Sequence, residues 1–119
     1  MHIEEFRDLC LSFKEVTEHF PFDENTLVFK VAGKMFALAD VDEFESINLK
    51  CDPEWAIQLR EMHPEIKPGY HMNKKHWNTV LVLGDLDDEF LIELVRHSYQ
   101  KVVESMPKKV QERLLPMPD

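Results

Sequence analysis

Two runs of strand-forming composition, Leu27 to Val31 and Lys34 to Ala39, are separated only by Ala32-Gly33. So short a connection closes an antiparallel hairpin, because glycine accepts the positive φ that a two-residue turn imposes. Pairing outward from that turn sets Phe29 opposite Phe36 and Leu27 opposite Leu38 on one apolar face, while Lys30 and Met35 share the other. Ile47 and Leu49 alternate with Asn48 and Lys50, which predicts a third strand with Lys50 on the polar side. A sheet with one apolar face needs a covering layer, and the rest of the chain has to supply it.

Helices supply it. Ile3, Phe6, Cys10, Phe13 and Val16 recur at three- and four-residue steps with Glu4, Glu5, Asp8 and Glu15 between them. That spacing predicts a first amphipathic helix, ended at Phe20-Pro21-Phe22 because the residue before proline avoids helical backbone. Asp52-Pro53-Glu54 opens a second helix: aspartate as N-cap, proline in the first turn, glutamate at the positive end of the dipole. Trp55, Ala56, Leu59 and Met62 form its inner stripe, and His63-Pro64 ends it. A fourth strand falls within Ile66 to Met72, and a fifth in Trp77 to Leu83, stopped by Gly84. Asp87-Asp88-Glu89 opens a long last helix with Phe90, Leu91, Leu94, Val95, Ser98 and Val102 inward. Met106-Pro107 interrupts it, with a short basic turn carrying Val110 and Leu114 beyond. The order α-β-β-β-α-β-β-α specifies an α+β two-layer sandwich with a mostly antiparallel sheet. One sheet face lies under helices; the other, carrying Lys30, Asn48 and Lys50, is left open. With no linker or repeat, residues 1–119 read as a single domain.

The net charge is -9, with acidic side chains spread almost everywhere. The segment Lys67 to His76, Lys-Pro-Gly-Tyr-His-Met-Asn-Lys-Lys-His, contains none and runs straight into Trp77. The negative total opposes general attraction to nucleic acid, so such a role must rest on a segregated patch. Cys10 and Cys51 are too few for a disulfide framework, and the acidic start Met-His-Ile-Glu-Glu does not resemble a signal peptide. Apolar runs such as Val80 to Leu83 fall far short of a bilayer span. The expectation is a soluble cytoplasmic protein with free thiols.

Three blocks together resemble a known family. Val31-Ala32-Gly33-Lys34-Met35-Phe36-Ala37-Leu38, then Leu49-Lys50-Cys51-Asp52-Pro53-Glu54, then Gly69 through Val80 with its His-Met-Asn-Lys-Lys-His-Trp core are similar to the MmcQ/YjbR family. Ser98-Tyr99 and Pro107-Lys108-Lys109 match its C-terminal part, so the likeness covers nearly the whole chain in order. The resemblance implies a secretion-chaperone-like α+β fold and a DNA-binding role with a double-wing arrangement of strands and hairpins. It also implies a small bacterial protein with no established enzymatic activity.

Taken by themselves the residues leave two readings open, an anion-binding segment and a loop whose lysines merely keep an exposed edge soluble. Lys67, Lys74 and Lys75, with Lys34 and Lys50 in support, are candidates for DNA phosphates, each contact releasing condensed counterions. His71, Asn73 and His76 are candidates for polar contacts, and an imidazole or Tyr70 for stacking on a base. His71 and His76 lie five apart with no acid or thiol between them, so no metal site is assigned. Cys10 sits on an apolar stripe; Cys51, before a helix N-terminus, is the better candidate for a reactive thiol. Adjacent His97 and Ser98 point in different directions and form no dyad. With three glycines there is no phosphate-cradling loop, and no catalytic residue or cofactor is assigned. The alternative reading is a protein-interaction or chaperone-like module that uses the open face or an edge strand. A small anionic ligand held among His71, Lys74 and His76 is a third.

Overall fold

In the computed structural model, which describes residues 1–118, the first helix is shorter than its apolar spacing implies. α1 spans Ile3–Ser12, and Phe13 caps it in extended backbone. Glu15 then turns at φ 58°, and Val16–His19 forms β1 instead of continuing the helix. Val16 and Phe13 fit a helical stripe, but Val16-Thr17 is β-branched and Val16 pairs with Val31 at a sheet edge. The wider hydrophobic surface of the sheet wins over the local period.

The hairpin forms as the sequence indicates. β2 (Thr26–Val31) and β3 (Lys34–Asp40) meet at Ala32 and Gly33, both at positive φ (46° and 85°), and Lys30 faces Met35. Beyond that pair the register slips. Phe36 is an extra residue in β3, so Phe29 faces Ala37, Val28 faces Leu38 and Leu27 faces Ala39. The expected Phe29–Phe36 and Leu27–Leu38 pairs do not occur. A bulge of this kind turns two consecutive side chains toward one face. Phe36 and Ala37 both join the helix-covered core, and Leu38 passes to the other side.

β4 (Ser46–Lys50), α2 (Pro53–Met62), β5 (Ile66–Pro68), β6 (Trp77–Leu81), α3 (Asp88–Glu104) and α4 (Lys108–Leu114) complete the chain. The α+β class holds, with a six-stranded antiparallel sheet in the order β1-β2-β3-β4-β6-β5. Two elements exceed the expected order: the edge strand β1 and the short helix α4. The Asp52 carboxylate caps α2, accepting from the amides of Glu54 and Trp55, and His63 ends it. Ala56 and Leu59 are buried as expected, but Met62 is exposed. The strand expected to reach Leu83 stops at Leu81.

α3 lies across β2, β3 and β4, α1 against β1, and α2 against β5. Between layers, Phe6 meets Phe29 edge-on at 5.6 Å, and Phe36 meets Tyr99 at 5.5 Å. The buried Ser98 answers the bulge. Phe36 and Lys50 would be the next partners after Ala37 and Leu49, yet the extra residue parts them. The Ser98 hydroxyl donates to the Phe36 carbonyl and accepts the Lys50 amide at 2.9 Å. Removing it strands two buried backbone groups. We expect Ser98→Ala to lower stability in urea by about 2 kcal/mol without changing the far-ultraviolet spectrum; a loss within error of zero would show the bridge to be dispensable.

Candidate nucleic-acid interface

On the face away from the helices, pairing aligns one residue from every strand: His19, Val28, Leu38, Asn48, Thr79 and Lys67. Lys30, opposite Thr17 and Met35, and Lys50, opposite Trp77, lie toward one strand end. Thr26 and Asp40 lie toward the other. This face is only partly open. Val28, Leu38 and Trp77 form a second apolar cluster, completed by Met35 and by Met72 from the β5–β6 loop.

That loop is the acid-free segment, and it folds back onto the sheet. The Gly69 amide donates to the Trp77 carbonyl at 2.8 Å. A Cβ on Gly69 would sit 2.8 Å from that of Trp77, so only glycine fits the approach. The Tyr70 amide donates to the Thr79 hydroxyl at 2.9 Å, and that hydroxyl donates to Asn48 Oδ1. From α2, Arg60 Nε donates to Asn78 Oδ1 at 2.7 Å, and its Nη2 reaches the Lys74 and Trp77 carbonyls. Asn78 is 2% exposed, so this guanidinium supplies a hydrogen-bond donor that water cannot replace.

The eight candidate residues separate by role. Lys67 and Lys75 are exposed, and Lys50 is half-buried at the strand end. None of the ion pairs among the described residues involves Lys30, Lys34, Lys50, Lys67, Lys74 or Lys75. Lys34 faces Val31, in a row belonging to the helix-covered side. Lys74 and Asn73 build the loop: Lys74 Nζ donates to the Gly69 carbonyl at 3.1 Å, and Asn73 Oδ1 accepts the Lys75 amide. His76 borders a cleft with Lys50 and Lys101, whereas His71 borders a different one with Asp23 and Asp40. His71, Lys74 and His76 therefore do not share a pocket for an anion.

The thiols and the His97-Ser98 pair are structural. Burial pushes the Cys10 thiol up strongly, and burial with the neighbouring Asp52 carboxylate pushes Cys51 up to about 12. Cys51 is thus protonated at neutral pH, contrary to its candidacy as a reactive thiol. His97 Nε2 accepts the Asp52 amide at 3.1 Å, and burial lowers its pKa. Among the described residues there is no cluster of metal-ligating side chains and no helix long and apolar enough to cross a membrane.

A family model described as YjbR matches residues 11–101. The chain belongs to the YjbR family. It is 38% identical over 109 residues to the uncharacterized protein YbdF of Escherichia coli O157:H7, covering 91% of this chain and 89% of that one. It is 32% identical over 116 residues to the uncharacterized protein YjbR of Escherichia coli K12, covering 97% and 98%. Among solved structures, the Deinococcus radiodurans protein DR2400, with its DUF419 domain, superposes with a TM-score of 0.89 at 41% identity over 97% of this chain and 89% of that one. A Pseudomonas syringae protein gives 0.72 at 29% identity over 85% and 98%.

Sequence reasoning missed Arg60, which looks like an ordinary exposed helix cation until Asn78 is known to be buried beside it. In this YjbR-family chain we expect Arg60→Leu to cost about 2 kcal/mol, by leaving Asn78 without its donor, and to speed amide exchange across residues 69–76. Unchanged exchange would show that the loop holds itself. The pH dependence follows from His97. Its folded pKa lies below the ordinary value of 6.5, so its contribution is intact above that value and is lost as pH falls through it. His97→Gln, which keeps an acceptor, is expected to flatten the loss of urea stability between about pH 6.5 and 5; an undiminished loss would assign it to other groups.

Proposed function

We propose that this protein is a binding module without a reaction of its own, which holds the phosphate backbone of DNA against the lysine-bearing end of its open sheet face. The observation that carries this reading is the register. Lys30, Lys50 and Lys67 stand on strands of one face without a carboxylate partner, and Lys75 extends from the loop laid over it. Lys30 and Lys50 are two strands apart, about 10 Å, a span over which one backbone can touch both. His76, beside Lys50, and Asn73, at the exposed tip of the loop, are placed for polar contacts. The non-enzymatic part is supported by how the nucleophile and base candidates of the sequence are used. Ser98 is committed to two backbone groups, Cys51 is protonated, and His97 accepts from Asp52.

Three or four phosphate contacts on a particle of net charge -9 give weak binding, with a log–log salt slope of about −3. Fluorescence anisotropy with a duplex across a salt series tests this. Lys50→Glu/Lys67→Glu is expected to reduce the slope by roughly 2, while Lys34→Glu leaves it unchanged. Absence of binding at low salt, or equal binding by the double variant, refutes the reading.

A further inference from the structure

The opposite strand end of the same face has a different chemistry. Two loops rise there and leave a groove of about 530 Å³ between them, within the range that holds small ligands. Phe22, from the β1–β2 loop, stands on one side. Tyr70 and His71, their rings 4.0 Å apart, stand on the other, and Leu38 lies beneath. Phe22 is 64% and Tyr70 69% exposed, so two large aromatic rings face solvent across an apolar floor. No lysine or arginine lines this groove; its formal charges are the carboxylates of Asp23 and Asp40.

We propose that the groove is a binding site for a small organic cation, a guanidinium or alkylammonium group carried on an apolar or aromatic body. Aromatic faces attract cations through their quadrupoles, the carboxylates complete the charge, and the floor takes the apolar body. An anion is rejected by the same groups. Asp23 accepts from the amides of Asn25 and Thr26 and from the Thr26 hydroxyl, and these bonds hold its pKa below the ordinary value, keeping it charged. Asp40 uses Oδ1 for the Asp42 amide, which leaves Oδ2 for a ligand. The Tyr70 wall is fixed in advance, since its amide is tied through Thr79 to Asn48, itself on the groove. His71 is held at φ 58°, a costly conformation for a non-glycine residue and one that recurs where ligands are clamped. The site lies at the other strand end from Lys30 and Lys50, no lysine lines it, and it stands or falls independently of DNA binding.

The test is a ¹⁵N-amide titration of the whole chain with agmatine and phenethylammonium, against neutral 2-phenylethanol and anionic 3-phenylpropanoate. The cations are expected to give saturable shifts centred on Tyr70, His71 and Asp40, with the neutral and anionic congeners weaker by about fivefold or more. Tyr70→Ala and Phe22→Ala remove exposed rings without touching the core, and each is expected to weaken the cations by about the same factor; Lys50→Glu is expected not to. Absence of saturable shifts for either cation, equal binding of the neutral congener, or full binding by both ring variants overturns the assignment.

Discussion

Three consecutive backbone amides, at Lys50, Cys51 and Asp52, hold the two layers and the loop in one arrangement. Each donates to a group distant in the chain: Ser98 and His97 on α3, and the carbonyl of His76 at the end of the β5–β6 loop. A strand that ends and a helix that begins within three residues cannot satisfy these donors internally. The bulge at Phe36 sharpens the problem by withdrawing the strand partner that Lys50 would otherwise have. Because α3 supplies two of the acceptors from adjacent residues, its position over the sheet is fixed by hydrogen bonds as well as by packing. His76 supplies the third, so the loop that carries the cations is anchored at its far end to the same junction.

From that arrangement follows a face with two kinds of ends. Lys30 and Lys50 stand toward the strand end near the junction, Asp40 and Asp23 toward the other, and the loop crosses between them on Met72. Lys30 and Thr26, which faces Asp40, are two rows apart on β2, about 14 Å, beyond a Debye length at physiological salt. Salt therefore screens the two ends from each other, and only a polyanion long enough to cross the whole face would meet the carboxylates at its far margin. The proposed phosphate contact and the proposed aromatic groove are separated by the same distance.

The hairpin, the third strand, the cap of α2 and the long α3 were legible because each rests on local chemistry: a two-residue turn, strict alternation, Asp-Pro-Glu, and a sustained helical period. The register beyond Lys30–Met35 was not, since a bulge depends on how Phe36 packs against Tyr99 and on a hydroxyl donor 62 residues away. β1 was hidden because Val16 satisfies a helical stripe and an edge strand equally well. At the site, the acid-free segment coincides with β5 and the β5–β6 loop, but its packing over the face expected to be open was not legible, and composition could not divide its residues by task. Lys74 looks identical in sequence terms to Lys75 and Lys67, and only its bond to the Gly69 carbonyl makes it part of the framework, as the bond from the Lys75 amide does for Asn73. Phe22 and Asp23 gave no signal, because their meaning comes from Tyr70 standing opposite.

The acid-free character of the loop then has a structural cause beside any partner. Arg60 presents its guanidinium to three neutral acceptors, Asn78 and the carbonyls of Lys74 and Trp77. A carboxylate within the loop would compete for that charge and pull the arginine off Asn78, reopening a buried amide. Lys74 is subject to the same argument, since its ammonium closes the loop on the Gly69 carbonyl and would swing toward a nearby acid instead. Excluding acids from residues 67–76 thus preserves the fold of the loop and, by the same exclusion, leaves Lys67 and Lys75 without internal counterions. A surface free to neutralise an external anion is what remains when the internal ones have been kept out for packing reasons.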